Sequence, residues 1–283
     1  MIDKIQQKVG VRADGLWGPK TRAAVAAALG CKADDKAIQA AVGVAADGIV
    51  GPKTAEAVAA ALGVKLPARV SVFLDVGHTA DRAREWPSSF AASAWETDAG
   101  RFILAALGFE PGVKDSFEHI LNCAVARAVA KHLLAIGVSV EVFDKPEMGN
   151  DAEISAVIAA ANQVRPRVFV SIHHNAQGGS AWKTMGGTAS GHVCYYTAGG
   201  KGRALAQEIS EELTEYRSRR GGPNNRASSV QAGSYAVIRK LDSAIAGCLV
   251  EVGFYDNASD AAFIAANVDG LGRAIAEGIM VSL

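Results

Sequence analysis

Residues 5–30 and 38–63 of this chain align without gaps at an offset of 33 residues. Ile5-Gln6 matches Ile38-Gln39, and Val9-Gly10-Val11 matches Val42-Gly43-Val44. Asp14-Gly15 matches Asp47-Gly48, Gly18-Pro19-Lys20-Thr21 matches Gly51-Pro52-Lys53-Thr54, and Leu29-Gly30 matches Leu62-Gly63. Such a duplication requires two copies of one supersecondary unit packed together. In each copy Asp-Gly marks a tight turn, because glycine tolerates positive φ. Gly-Pro then opens a helix, since proline fits the first turn where its missing N–H is not needed. The helices are rich in alanine and place Val25 and Leu29, or Val58 and Leu62, on one face. Gly30 and Gly63 stop them. Residues 1–64 are therefore predicted to form a small all-helical domain with pseudo-twofold symmetry. Residues 65–69 make a short linker, and a second domain spans 70–283.

From residue 70 onward, apolar runs alternate with helical patterns, the signature of a layered α/β fold. Strands are predicted at 70–76, 138–143, 167–172, 193–197 and 246–252, and helices at 117–136, 152–164, 202–216 and 268–283. The expectation is a mostly parallel twisted sheet flanked by helices. The stretch from Thr79 to Ser116 is long and weakly patterned, and long loops in compact domains are often functional.

Three of the strand-like runs lead into side chains that bind metals or carry protons. Val72–Val76 runs to His78, Val168–Ile172 to His173-His174-Asn175, and Cys248–Val250 to Glu251. In open α/β sheets, ligands gather beyond the carboxyl ends of the strands. Catalytic zinc usually takes three protein ligands and leaves one position for water. His78 and His173 are the imidazole candidates. Glu118 is the candidate third ligand, because it lies four residues before Asn122 and seven before Val125 on the buried stripe of its helix. A carboxylate there is costly unless something pairs with it. His119 lies about 100° round the helix and is expected to be a neighbour, not a ligand. His173 and His174 cannot both face the site, because strand side chains alternate; sequence physics alone does not choose between them. Glu251, in an apolar run, is either in a buried ion pair or has a raised pKa suited to proton transfer. Asn175 is a candidate substrate contact. His132 and His192 have no pattern around them and read as structural.

Lys and Arg total 29, as do Asp and Glu, so the formal net charge is zero. That gives no global case for nucleic acid or an anionic membrane. Arg217, Arg219, Arg220 and Arg226 form one local basic run, read as a solvated loop. The four cysteines lie far apart without a C-x-x-C pair, which excludes a disulfide framework and a zinc knuckle. Cys123, Cys194 and Cys248 are expected to be small buried hydrophobes in apolar surroundings. No segment has the roughly 20 apolar residues of a membrane span. Residues 1–8 lack the apolar core and cleavage site of a signal peptide, so synthesis in the cytoplasm is expected, with release to the site of action by another agent.

The motifs D-G-L-W-G-P-K-T and D-G-I-V-G-P-K-T resemble the peptidoglycan-binding domain of many cell-wall hydrolases. That resemblance implies wall binding by residues 1–64, with Trp17, where the second copy has Val50, as the candidate contact. D-V-G-H at 75–78, E-H-I-L-N at 118–122, S-I-H-H-N-A at 171–176 and V-E-V-G-F-Y-D-N at 250–257 resemble the zinc-dependent N-acetylmuramoyl-L-alanine amidases. This second resemblance covers 70–283 with all motifs in order. It implies one catalytic Zn2+ held by His78, Glu118 and His173, with Glu251 as the catalytic glutamate. The implied reaction is hydrolysis of the amide between N-acetylmuramic acid and L-alanine, on bacterial peptidoglycan, by a monomer. Val76 stands where the family often has Pro and His174 where it often has Ala. The Gly-rich stretch common after the first His is missing.

The rival readings are a zinc peptidase cutting the stem peptide and a non-catalytic wall-binding protein. The chain has neither the S-x-H-x-x-G-x-A-x-D run nor the carboxyl-terminal H-x-H pair of the first. Intact His78, Glu118, His173 and Glu251 weigh against the second. A wall-binding module without a signal peptide resembles a phage or prophage endolysin let out through a membrane hole.

Overall fold

A computed structural model describes residues 2–64, 70–78, 98–108, 117–144, 150–178, 184–223 and 229–283. The 65–69 linker, Arg226 and most of the Thr79–Ser116 stretch lie outside the described residues. The chain divides into two compact units, Met1–Arg69 and Val70–Leu283.

The first unit contains α1 (Ile2–Lys8), α2 (Pro19–Leu29), α3 (Asp35–Ala41) and α4 (Pro52–Ala61). Its symmetry is built on a buried glutamine in each copy. Gln6 Nε2 donates to Asp14 Oδ1 (2.8 Å), Leu16 O (2.9 Å) and Thr21 Oγ1 (2.8 Å), while its Oε1 accepts from Gly15 N (2.9 Å). Gln39 repeats this with Asp47 Oδ1 (2.7 Å), Ile49 O (3.0 Å), Thr54 Oγ1 (3.2 Å) and Gly48 N (2.8 Å). The glutamine thus satisfies the backbone of the Asp-Gly turn, in which Gly15 and Gly48 adopt φ of 75° and 83°. Ile5, Val25, Ile38 and Val58 fill the core between the copies. Trp17 is half-buried and donates its indole N–H to Asp35 Oδ1 at 2.9 Å.

The second unit is a mixed α/β layered fold with a six-stranded, mostly parallel sheet. Its strands are β1 (Val72–Val76), β2 (Val140–Phe143), β3 (Val168–Asn175), β4 (Val193–Tyr196), β5 (Ser229–Ala232) and β6 (Ala246–Phe254). They lie in the order β2-β1-β3-β6-β4-β5. β2, β1, β3 and β6 are parallel, and β4 joins β6 antiparallel, carrying β5 with it. The helices are α5 (Asp98–Ala106), α6 (Phe117–Ala135), α7 (Asn150–Val164), α8 (Gly202–Arg219), α9 (Ala236–Arg239), α10 (Ala258–Ala266) and α11 (Val268–Val281).

Both sheet faces are covered. Val72, Leu74, Val168, Val170, Ile172, Cys248 and Val250 face a large core shared with α6, α8 and α11. Phe73, Phe143, Phe169 and Leu249 face the other way, toward Val157 of α7 and Val237 of α9. Phe73 stacks between Phe143 and Phe169 with ring centroids 5.9 and 5.7 Å away.

The structure corrects several expectations. Helices α5, α9 and α10 and strand β5 have no counterpart in the sequence reading; α9 and β5 are only four residues long and α10 is apolar all round, so these three show no clear period. β6 continues three residues past Glu251, so that residue lies within a strand and not at its end. Arg217 is not in a solvated loop: it lies on α8, fully buried, paired with Asp260 and donating to Val252 O (3.2 Å) and Pro223 O (2.8 Å). Asp260 also accepts from Gly191 N (3.0 Å) and Phe254 N (2.9 Å), which compensates the buried charge. Cys123, Cys194 and Cys248 are buried as expected. The surroundings of Cys123 are polar, however, because His119 and Asp144 lie beside its sulfur.

Candidate active site

β1, β3 and β6 are adjacent and parallel, so the groups that follow or lie near their carboxyl ends come together. Asp75 pairs in register with Ser171, and His173 with Glu251. The β3–β6 ladder then shifts, since His173–Asn175 opposes Glu251–Phe254. The extra residue is a bulge on β6, a device common beside active sites.

His78 follows β1 in the left-handed region, with φ of 61°. Histidine visits that region more readily than bulky residues, at a cost on the order of 1–3 kcal/mol. Its Nε2 lies 3.1 Å from Glu118 Oε1. Glu118 is in the first turn of α6, where the helix dipole favours a carboxylate. The same Oε1 lies 3.3 Å from His173 Nδ1. The two imidazoles meet edge to face with centroids 4.7 Å apart. Gly77 makes room for this: a Cβ there would come within 2.3 Å of the His173 ring.

The doublet divides as strand alternation demands. His173 faces the cleft. His174 points to the other side of the sheet, buried, with Nδ1 2.7 Å from Asn122 Oδ1. Asn122 in turn donates to Gly77 O at 2.7 Å. His174 does reach the site through its backbone, whose N–H lies 3.4 Å from Glu118 Oε1. The departure at 174 therefore touches a candidate ligand, through a backbone N–H that every residue type except proline supplies.

A cavity of about 280 Å3 opens over these groups, lined by Asp75, Gly77, His78, His173 and Glu251, with Glu153, Ile154, Val157, Tyr235 and Leu249 among its walls. Glu251 Oε2 is buried there without a hydrogen-bond partner among the described residues. Burial raises the Glu251 carboxyl to about 7, with His173 lowering it and Glu118 raising it. For Glu118, burial is outweighed by His78 and His173, which hold its carboxyl below the usual range. For His173, burial is outweighed by Glu118, Glu251 and Asp75, which raise it to about 9. Burial lowers His174 to about 3.

His78, Glu118 and His173 suit a metal ion. Their donor atoms lie within 4.8 Å of one another. The two His–Glu separations of 3.1 and 3.3 Å are close to the edge of roughly 3.3 Å in a zinc tetrahedron built from bonds of about 2.0–2.2 Å. Carboxylates converge on His173 and hold a proton there, and the same potential favours a divalent cation in its place.

Sequence reasoning missed Asp75, Glu153 and Tyr235. Asp75 is buried below His173 and accepts from Ser171 Oγ at 2.5 Å, and burial raises its carboxyl. An aspartate inside an apolar strand run was a usable signal for it. Glu153 and Tyr235 carried none. Asn175 turns its Oδ1 onto its neighbour's N–H (Ala176 N, 2.8 Å) and is not among the residues lining this cavity.

A family model described as N-acetylmuramoyl-L-alanine amidase (Amidase_3) matches residues 72–281, and the chain belongs to that family of cell-wall hydrolases. The fold is similar to that of the N-acetylmuramoyl-L-alanine amidase AmiC2 of Nostoc punctiforme, with TM-score 0.53 and 19% identity over 76% of this chain and 98% of that one. It is similar to the catalytic domain of the amidase CwlV from Bacillus (Paenibacillus) polymyxa var. colistinus, with TM-score 0.52 and 21% identity over 74% and 96%. The catalytic domain of the CD27L endolysin targeting Clostridia Difficile gives TM-score 0.53 and 19% identity over 74% and 96%. No curated protein sequence matches the chain significantly.

Proposed function

We propose that in the peptidoglycan amidase reaction of this family, His78, Glu118 and His173 hold one zinc ion and Glu251 carries the proton. The observation that carries this reading is the convergence of three metal-type donors beside a buried carboxyl that has one oxygen unpartnered among the described residues and a pKa of about 7. When bound, zinc supplies Lewis-acid activation of water and of the amide carbonyl between N-acetylmuramic acid and L-alanine. Glu251, titrating near neutrality, accepts the proton of the attacking water and returns it to the leaving amine of L-alanine. Asp75 and the Asn122–Gly77 hydrogen bond support His173 and the turn that carries His78. The apolar wall of Ile154, Val157 and Leu249 limits water at the reacting bond.

Glu251→Ala should keep zinc and fold while losing about 10²–10⁴-fold in turnover. A variant with near wild-type rate on purified wall would sink the assignment. The bond is identified by digesting wall with and without chelator and sequencing the new termini by mass spectrometry. New L-alanine amino termini that vanish with chelator are expected. Termini within the stem peptide would instead favour a zinc peptidase, and no cleavage with no metal would favour a binding protein.

The duplicated unit is proposed to hold the chain on the wall, and the pairing of such a unit with an amidase supports a lytic setting like that of a phage endolysin. Catalytically silent Glu251→Ala protein should co-sediment with purified wall, and Trp17→Ala in that background should sediment several-fold less. Unchanged sedimentation would remove Trp17 from the contact.

A further inference from the structure

Glu118 and His119 are neighbours in sequence but belong to different clusters. His119 and Cys123 stand one turn apart on α6, and Asp144 directly follows β2. Cys123 Sγ lies 3.3 Å from His119 Nε2 and 3.6 Å from Asp144 Oδ2, and His119 Nε2 lies 3.6 Å from Asp144 Oδ1. A zinc ion with bonds of about 2.3 Å to sulfur and about 2.0–2.2 Å to nitrogen and oxygen has tetrahedral edges of roughly 3.3–3.6 Å. The sulfur-to-imidazole distance, and the distances from the sulfur to Asp144 Oδ2 and from the imidazole to Asp144 Oδ1, all fall in that range, so the carboxylate reaches both partners at edge length with one oxygen each.

Two further observations fit. His119 Nδ1 lies 3.4 Å from Gly77 O. A carbonyl only accepts, so this contact puts the proton on Nδ1 and leaves the Nε2 lone pair toward Cys123 and Asp144, as in metal-bound histidines. Asp144 Oδ1 is buried with no hydrogen-bond donor among the described residues. His119 and Cys123 are 3% and 8% exposed, while the Asp144 side chain is 24% exposed, which opens the fourth position toward solvent. The 72% exposed Arg127, with Nη2 3.8 Å from Asp144 Oδ2, can swing aside.

We propose that His119 Nε2, Cys123 Sγ and the Asp144 carboxylate form a second zinc site, separate from that of His78, Glu118 and His173. One thiolate, one imidazole and one carboxylate select zinc over magnesium or calcium. Binding expels the thiol proton to solvent, so the dianionic donor set balances the divalent ion. The ion would tie α6 to the end of β2, and through Gly77 O to the residue before His78.

Cobalt(II) titration of the metal-free full chain tests this, because only the second site contains sulfur. The expected result is two equivalents bound with a thiolate-to-cobalt charge-transfer band in the near ultraviolet. Cys123→Ser should lose the band and one equivalent and keep the other. Asp144→Asn, at a partly exposed position, should weaken the second equivalent at least about 10-fold, with circular dichroism reporting the fold of each variant. Wild-type protein without the band would overturn the proposal whether or not Cys123→Ser folds. So would a band that survives Cys123→Ser, which would place the thiolate elsewhere, or Asp144→Asn binding unchanged. A single equivalent with the band would uphold this site and count against the first.

Discussion

Single atoms decide the chemistry of the cleft. Glu118 Oε1 serves both imidazoles, at 3.1 Å from His78 and 3.3 Å from His173, so no conservative replacement reproduces it. Gly77 shows how narrow the tolerance is. Its backbone is not in the left-handed region, so its smallness rather than its flexibility is needed, because a Cβ would strike the His173 ring. Gly77→Ala should lower zinc affinity about 10–100-fold, as disturbance of a ligand's support typically does, with little loss of folding. Competition against a chromogenic chelator measures it, and unchanged affinity would show that the ring can move. Glu251 owes its poise to burial between like and unlike charges. Burial raises its carboxyl to about 7 although His173 pulls it down, and Glu118 adds to the rise.

At the level of elements, α6 has the largest role. Its first turn supplies Glu118, its second supplies Asn122 to the Gly77 carbonyl and to His174, and Val125, Val129 and Leu133 anchor it in the core. The junction of β6 with α8 and α10 depends on the Arg217–Asp260 pair, which joins Val252 O, Pro223 O, Gly191 N and Phe254 N in one buried network. Asp260→Ala strands the guanidinium and two N–H donors. It should cost about 3–5 kcal/mol, read as a shift of the urea midpoint, and a loss under 1 kcal/mol would mean that water or Pro223 rescues the arginine. In the first unit, Gln6 and Gln39 show why the duplication is so close: each must reach its Asp-Gly turn, the carbonyl of Leu16 or Ile49 and its threonine at once.

For the whole molecule, buried neutral histidine links stability to pH. His192 is fully buried beside Ser210 Oγ (3.0 Å), and burial together with the Arg217 charge lowers it from 6.5 to about 4. In that interval the unfolded chain binds the proton and the folded chain does not, so stability is complete above about 6.5 and falls as pH drops toward 4. The loss from this group reaches at most about 3 kcal/mol. His192→Gln removes the effect, so the stability gap between wild type and variant should narrow as pH falls through that window in thermal melts. A constant gap would show that His192 does not titrate there. Among the described residues no helix is long and apolar enough to cross a membrane.

The sequence by itself determined what depends on neighbours along the chain. The repeat dictated two matching helical copies, alternation of patterns dictated the α/β layers, and the stripe at Val125, Val129 and Leu133 put Glu118 on the buried face of α6. It could not separate His173 from His174, because β3 is covered on both faces and its apolar run carries no inside–outside contrast. The same ambiguity in β6 left Glu251 open between ion pair and proton carrier. Only the packed sheet shows that His173 and not His174 faces the cleft, because register places His173 opposite Glu251, whose carboxyl burial raises. Tertiary structure alone also took Arg217 out of solvent and put Cys123 against His119 and Asp144. Those environments are made by contacts between residues up to 43 positions apart in sequence for Arg217 and Asp260, which no local pattern records.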